Sequence, residues 1–290
     1  SFAFLPAIDW LGGGISGYTR MALVLAAILL VCLGITFWGV REKQTDVPVS
    51  EVNWREVIQF LPKNRPFWLL CICFGACFAG WAGFAATAPY YYRYVVGDST
   101  AVSWVFLIVM GVSTLTIPLW TLLSRRIEKR GVFLWGALCY SLAFLGVFFL
   151  GVESKWLGYA LFSLQGLGNG AAVYTSWAMI PDTVEYGEWK SGYRLEAILY
   201  GIYGVFIKLG LGLGTALIGY GLAWAGYNVE VAPSSAVLGM IKGLFSLLPL
   251  VAVIIAAAAM YAYPLTASCH ASIRTALQQK KDGSTVAAIL

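Results

Sequence analysis

Ionisable side chains inside long apolar segments are the first residues of this sequence that could carry chemistry. A charge near the middle of a bilayer costs about 2.5–3.5 kcal/mol on insertion scales, so each such residue suggests a functional role. Lys208 lies about eleven residues into the apolar segment Ala197–Ala225, near mid-depth. Lys242 lies a turn or two from the end of its segment, where a lysine can extend its ammonium to the interface. We therefore predict a functional role for Lys208 and not for Lys242.

The residues that share a helix face with Lys208 form a candidate binding surface. Positions 200, 203, 204, 207, 208 and 211 recur at helical spacing, which places Tyr200, Tyr203 and Gly204 beside Lys208. Aromatic rings pack on the C–H faces of a sugar-like solute, and polar donors bond to its hydroxyls. The alternative is an aromatic helix that packs on its neighbours, with its tyrosine hydroxyls bonded to carbonyls. The presence of Lys208 favours the binding surface.

Two amides lie on another apolar segment, Trp156–Ile180. Gln165 and Asn169 are four residues apart, so they share a helix face and either line a cavity or hydrogen-bond to a neighbouring helix. Both interpretations are open. We include the two amides with Tyr200, Tyr203 and Gly204 as candidate solute-binding residues.

The apolar segments offer little to an enzyme or to a metal site. The one histidine, His270, lies in the C-terminal tail, and no Asp or Glu lies deep in a segment, so a general base is lacking there. Cys71, Cys73 and Cys77 share one segment without a nearby histidine or carboxylate, which indicates packing rather than metal binding. An intramembrane enzyme is the weaker alternative, and we expect no catalytic residue, metal site or bound cofactor.

The densest cluster of charges follows Pro181 and extends to Glu196. The sequence predicts a loop here between two apolar segments. Its charges are either solvated or paired across a gate that opens and closes. The candidate gate residues are Asp182, Glu185, Glu188, Arg194, Arg125 and Arg126.

Membrane-spanning helices must position all of these residues. Apolar residues make up 60% of the chain and charged residues only 11%, about half the fraction of a soluble domain. Segments of about 20 apolar residues cross a bilayer as helices, because every backbone polar group must be satisfied within the segment. The sequence therefore predicts an all-α integral membrane protein with about seven spans. The spans are Met21–Val40, Phe67–Tyr92, Ala101–Ser124, Val132–Val152, Trp156–Ile180, Ala197–Ala225 and Ala236–Leu265.

The basic residues predict the topology, since Lys and Arg accumulate in cytoplasmic loops. Fourteen of them fall on one side of the spans and three on the other. Arg125–Gly131, Asp182–Arg194 and the C-terminal tail are therefore expected in the cytoplasm. The segments expected outside are Ser1–Gly17, Arg93–Thr100, Gly151–Lys155 and Gly226–Ser235. Because topology explains the net charge of +5, we do not expect nucleic-acid binding.

Four regions follow from this pattern. Residues 1–40 end in the first span, and residues 41–66 form a polar connection that suits an amphipathic helix at the interface. Residues 67–265 hold six spans, and residues 266–290 form the tail. Six spans are what half of a transporter built from inverted three-helix repeats contains. The first span is then the last helix of an earlier bundle, and the sequence is expected to begin inside a longer protein.

A longer motif carries a family resemblance. The run PDTVEYGEWKSGYRLEAILYGIYGVFIKLGLGLG resembles the signature around the tenth and eleventh helices of the glycoside-pentoside-hexuronide:cation symporter family. This family is the melibiose-permease-like branch of the major facilitator superfamily. The segments Lys63–Pro66 before one span and Tyr263–Thr266 after the last support the resemblance, which extends from the sixth helix onward over essentially the whole chain.

The resemblance implies a fold of two six-helix bundles that works by alternating access and is driven by sodium ions or protons. It implies cation coupling for Lys208, an inner gate for the charged cluster, and approach of sugar to Tyr203 and Gly204. The family's principal binding carboxylates belong to early helices that this chain lacks, so the missing N-terminal bundle is required. The expected function is symport of a sugar or glycoside across the bacterial inner membrane. A carrier of a lipid-type or other organic solute on the same fold is the alternative.

Overall fold

The computed structural model describes residues 10–39, 60–152 and 154–289, with side chains up to residue 280. Every regular element within these residues is helical, which confirms the prediction of an all-α protein. The chain divides into two compact units, Ser1–Val52 and Asn53–Leu290.

The first unit contains helix α1, Gly14–Gly39, which is long and apolar enough to cross a membrane. The glycines at 12, 13 and 14 have φ values of 111°, 61° and 52°, a backbone region that side chains rarely adopt, and they form the turn into α1. The helix therefore starts earlier than the predicted span Met21–Val40, at Gly14. The amphipathic helix predicted within residues 41–66 falls largely outside the described residues.

The second unit contains six further α-helices among the residues described. A short 3-10 helix, Leu61–Lys63, precedes them, and Asn64 caps the first one by accepting a hydrogen bond from the Phe67 amide. The helices are α2 Arg65–Tyr91, α3 Ala101–Leu150, α4 Lys155–Ser191, α5 Glu196–Trp224, α6 Ser235–Tyr261 and α7 Ala267–Ile289. A π-helix, Tyr92–Val96, continues α2.

Helix α3 holds two of the predicted spans, divided at Glu128. This residue has φ 60° and ψ 159°, a combination almost restricted to glycine, and the chain changes direction there. Residues 101–127 and 129–150 are therefore separate helical runs. Among the residues that the structure describes, five helices have the length and composition of membrane spans, and α3 counts once among them. Helix α4 contains the remaining predicted span, Trp156–Ile180.

Two helix ends differ from the prediction. Helix α4 continues through the charged cluster to Ser191 and ends at Gly192, which has φ 78°. The prediction of a loop from Pro181 is therefore wrong. Helix α6 ends at Tyr261 rather than at Leu265, since Pro264 has no backbone donor and restricts the residue before it.

Glycines bring the helices into close contact. Helices α3 and α4 share the largest interface, and a Cβ added at Gly168 would lie 2.5 Å from the Gly136 carbonyl oxygen. Helix α5 approaches α2 in the same way, because Gly210 faces the carbonyl oxygen of Gly75. Small residues allow this approach of backbones, which is how membrane helices gain packing energy.

The segments predicted to share a membrane side meet at the same end of the second unit. At one end the Tyr94 and Tyr227 hydroxyls are 3.0 Å apart, and Lys155 lies 3.7 Å from Asp98. At the other end the Asn64 amide donates to the Thr183 carbonyl. The alternation of sides therefore agrees with the predicted topology.

Candidate functional site

An aromatic cleft of about 200 Å³ lies between α2, the first run of α3 and α4. Helix α2 contributes residues at i, i+3, i+4 and i+7, and α4 repeats that spacing, so each helix presents one face to the cleft. The residues that line the aromatic cleft are Phe74, Cys77, Phe78, Trp81, Met110, Asn169, Ala172, Val173, Ser176 and Trp177.

Two indoles and two polar groups give the aromatic cleft its chemistry. Trp177 is 62% exposed, while Trp81 is partly buried and packs edge-on against Phe106 at 6.2 Å. Asn169 donates a hydrogen bond from its side-chain nitrogen to the Ser113 hydroxyl at 3.1 Å. The cleft thus offers flat apolar surfaces beside a small number of polar groups, the usual composition of a small-molecule site.

Tyr203 supports the aromatic cleft from behind instead of lining it. Its side chain is buried, its hydroxyl is hydrogen-bonded to the Ser176 hydroxyl, and its ring packs edge-on against Phe74 at 6.2 Å. Ser176 and Phe74 both line the cleft. The prediction that Tyr203 shares an open face with Lys208 is therefore wrong, since five residues of helix rotate the two side chains by about 140°.

Lys208 and Gly204 lie on the face of α5 that the rest of the second unit leaves uncovered. Lys208 is exposed and forms no ion pair with any residue that the structure describes. A Cβ placed on Gly201, Gly204 or Gly212 would meet no atom within 4 Å. Tyr200 is partly exposed and lies near Glu196 and Arg194, away from the aromatic cleft.

The two amides of α4 have different environments. Asn169 lines the aromatic cleft, whereas Gln165 is fully buried. Neither polar atom of the Gln165 side chain has a hydrogen-bond partner within the described residues. Asn169 therefore fulfils both alternatives left open by the sequence, since it lines the cleft and donates to Ser113 on α3, whereas Gln165 is buried between helices.

A charged network joins α3, α4 and α7. We use this name for Lys129, Asp182, Glu185, Glu188, Arg194 and His270. The Lys129 ammonium donates to both Asp182 carboxylate oxygens, at 2.7 and 2.9 Å, and to the Ala178 carbonyl at 2.8 Å. His270 Nε2 lies 2.7 Å from Glu185 and 3.6 Å from Asp182.

Arg194 closes the charged network at the end of α4. It donates to Glu188 at 3.2 Å and to Glu196 at 2.8 Å, and the hydrogen bond with Glu196 raises the pKa of Arg194. The three predicted carboxylates are therefore all paired. The predicted basic partners Arg125 and Arg126 are exposed instead and form no ion pair with described residues.

Sequence reasoning missed Lys129 and His270, the two residues that link α4 to other helices. Lys129 follows Arg125 by one helical turn, so in a continuous helix the two residues would share a face. The kink at Glu128 lies between them, and Lys129 is the residue whose side chain faces α4. His270 was assigned to the tail, and nothing in its neighbours along the chain indicates a carboxylate 85 positions away.

The sequence of this chain is similar to those of known transport proteins. Residues 2–267 match the family model described as MFS/sugar transport protein. A glucuronide carrier protein homolog of Escherichia coli (strain K12) is 30% identical over 87% of this chain and 55% of its own length. An isoprimeverose transporter of Lactiplantibacillus pentosus is 29% identical over 89% of this chain and 55% of its own length. The inner membrane symporter YicJ of Escherichia coli (strain K12) is 27% identical over 96% of this chain and 61% of its own length. The chain thus spans little more than half the length of these relatives.

Proposed function

Since the chain belongs to the MFS/sugar transport protein family, we propose that it forms part of a symporter that moves a sugar or glycoside by alternating access. The coupling ion in this proposal is a sodium ion or a proton. The protein is a multi-pass membrane protein, and we place it in the bacterial inner membrane with its C-terminus in the cytoplasm, as the basic residues predict. We also propose that transport requires an N-terminal bundle in addition to this chain, and the fact that the chain spans little more than half the length of its relatives supports this proposal.

The aromatic cleft is the observation that carries the proposed solute class. Indole planes pack on the C–H faces of a pyranose, while Asn169 and Ser176 can bond to its hydroxyls. The volume of about 200 Å³ is smaller than the roughly 300–1,000 Å³ of a complete ligand pocket. This difference supports a site whose opposite wall comes from another bundle.

The charged network supports the proposed gate. Its six residues lie at one end of the second unit, and α4 carries both the cleft residues 169–177 and the acidic residues of the network. Each pair is partly exposed and contributes about 0.2–1 kcal/mol. Together such pairs are sufficient to bias an equilibrium between two conformations of similar free energy.

Lys208 supports the proposed cation coupling. An ammonium at mid-membrane depth requires an acidic partner, and the described residues supply none. We propose that the partner belongs to the N-terminal bundle. A sodium ion or proton arriving at that carboxylate competes with Lys208, which links cation occupancy to the conformation of α5.

Uptake by the full-length transporter in proteoliposomes tests the proposed function. We expect saturable uptake of a radiolabelled glucuronide or xyloside that increases with an inward sodium or proton gradient. Uptake that ignores both gradients would replace symport with facilitated transport. Uptake of a lipid analogue, without uptake of any glycoside, would replace the solute class.

A tryptophan pair on α4 tests the aromatic cleft within the same assay. Trp177→Ala should raise the half-saturation concentration roughly two- to tenfold, because an aromatic contact is worth about 0.5–1.5 kcal/mol. Trp177→Phe should recover most of this loss. Trp156→Ala is the matched control, since Trp156 is 83% exposed near the start of α4 and does not line the cleft. Equal effects at the two tryptophans would contradict the assignment of the cleft.

A further inference from the structure

The hydroxyl of Ser176 bonds to another helix rather than to the backbone of its own. Serine and threonine hydroxyls within helices commonly donate to the backbone carbonyl one turn earlier. The neighbouring Thr175 does so, with its hydroxyl 2.8 Å from the Ala171 carbonyl oxygen. The Ser176 hydroxyl is hydrogen-bonded instead to the hydroxyl of Tyr203, a residue of α5. The orientation of the Ser176 hydroxyl is therefore determined by a neighbouring helix.

The Tyr203 side chain contacts both walls of the aromatic cleft. Its ring packs edge-on against Phe74 of α2, and its hydroxyl reaches Ser176 of α4. Both of these residues line the cleft, whereas Tyr203 is 2% exposed and lies behind them. Helices α4 and α5 have far less contact with each other than α4 has with α3 or α5 has with α2. The bond between the two hydroxyls is therefore a specific link from α5 to the cleft and does not result from extensive packing.

The Ser176 hydroxyl keeps further hydrogen-bonding capacity. A hydroxyl has one donor and two acceptor positions, and the bond with Tyr203 uses one of them, whichever oxygen donates. Ser176 lines the cleft beside the exposed ring of Trp177, so the remaining capacity is available to a solute that packs on this ring. Without the Tyr203 hydroxyl, the Ser176 side chain would be free to rotate and donate to the Ala172 carbonyl one turn earlier.

We propose that Tyr203 is a positioning residue for the solute, because its hydroxyl holds the Ser176 hydroxyl in the orientation that bonds to a solute hydroxyl. This inference rests on the proposed function, since it assigns a further residue to the same cleft. The ring and the hydroxyl of Tyr203 have separate tasks, with the ring supporting Phe74 and the hydroxyl orienting Ser176. The bond also makes the cleft selective, because a fixed hydroxyl favours solutes that carry a complementary hydroxyl over analogues that lack it.

A double-mutant cycle in the full-length transporter tests this inference, with uptake of the radiolabelled glucuronide or xyloside as the measurement. Tyr203→Phe keeps the ring and should raise the half-saturation concentration roughly two- to tenfold at an unchanged maximal rate, the range that one hydrogen bond contributes. Ser176→Ala should have a similar effect. The double variant should be no worse than the weaker single variant, because Tyr203 acts through Ser176. Tyr91→Phe is the control, since Tyr91 is a buried tyrosine that stacks on Phe245 at 4.1 Å and does not line the cleft.

Thermal unfolding of the same proteins tests the hydrogen bond without any solute. Each single variant should lower the unfolding midpoint, because it leaves one buried hydroxyl without its partner, and the double variant should recover part of the loss. Additive shifts of the midpoint would show that the two hydroxyls are not bonded.

The uptake results separate the positioning role from the proposed function. If the wild-type protein takes up the glycoside but Tyr203→Phe leaves the half-saturation concentration unchanged, or if the two effects add in the double variant, the positioning role alone is wrong. If the wild-type protein takes up only the lipid analogue, the solute class is wrong, and the same cycle measured with that analogue decides the role of Tyr203. Absence of uptake of any of these solutes would overturn the proposed function and the positioning role together.

Discussion

At the scale of single residues, the structure separates side chains that the helical pattern had grouped. Tyr203 packs inward against Ser176, while Lys208 points away from the second unit on the opposite side of α5. Helical spacing defines which residues are near one another on a cylinder. Which face of α5 is covered depends on the neighbouring helices. Helix α2 packs against the face that carries Gly210 and Gly214.

Lys208 gives the prediction that belongs to this scale. In the full-length protein, Lys208→Ala should abolish accumulation of solute against its gradient, because the carboxylate that binds the cation no longer has a competing ammonium. Exchange of solute at equal concentrations should continue. Both are measured as counterflow and active uptake in proteoliposomes.

The control for Lys208 is the other intramembrane lysine. Lys242→Ala should leave both assays unchanged, since the Lys242 ammonium lies 5.6 Å from the Phe148 ring centre and is expected to reach the interface. A Lys208→Ala protein that accumulates solute like the parent, with the same cation dependence, would reduce Lys208 to a structural counter-ion.

At the scale of helices, backbone contact through glycine fixes the packing. Gly168→Ala should lower the thermal unfolding midpoint by several degrees, because its Cβ would lie 2.5 Å from a carbonyl oxygen and overpacking costs about 1–3 kcal/mol. Gly212→Ala is the matched control on a helix of the same unit, and no atom lies within 4 Å of its added Cβ. It should keep or slightly raise the midpoint, since alanine favours the helix. Equal midpoints for the two variants would contradict the close approach of α3 and α4.

The attachment of the tail helix is a second prediction at this scale. Helix α7 buries Ile273 and Leu277 and bonds to α4 through His270. His270→Ala should therefore increase hydrogen exchange of the amides in residues 267–280. Arg274→Ala should change it less, because Arg274 is 70% exposed and lies 3.8 Å from Glu185. A larger effect of Arg274→Ala would assign the attachment to the arginine.

The helices and the acidic residues of the charged network could be predicted from the sequence, and the network partners Lys129 and His270 could not. Runs of about 20 apolar residues located the spans, because hydrocarbon leaves a backbone no alternative to helix. The charged residues after Pro181 indicated a loop, since such residues are usually solvated. They remain helical because partners from distant positions, Lys129 and His270, bond to Asp182 and Glu185. Pairing of that kind depends on the tertiary fold and leaves no periodic pattern.

At the scale of the whole molecule, the topology is the property to be measured. Ser191→Cys should react only with reagents that enter the cytoplasm, in a protein without its native cysteines. Ser99→Cys, in the segment that lies with Asp98 and Lys155 at the other end, should react from outside. The opposite pattern would invert the orientation that the basic residues predict.

The continuity of α4 has a mechanical consequence. A helix rises about 1.5 Å per residue, so Glu188 lies about 28 Å from Asn169 along one continuous helix. Tilting α4 by about 5° around Asn169 moves Glu188 by about 2.5 Å, which is enough to break a hydrogen bond. Pro181 is the weakest point of α4, because proline has no backbone N–H to donate a hydrogen bond to the preceding turn. Lys129 bridges this point, since its ammonium donates one hydrogen bond to the Ala178 carbonyl before the proline and two to the Asp182 carboxylate after it. The Lys129 ammonium therefore connects the residues on both sides of Pro181. The rigidity of α4 between the aromatic cleft and the charged network depends on whether Lys129 makes these hydrogen bonds.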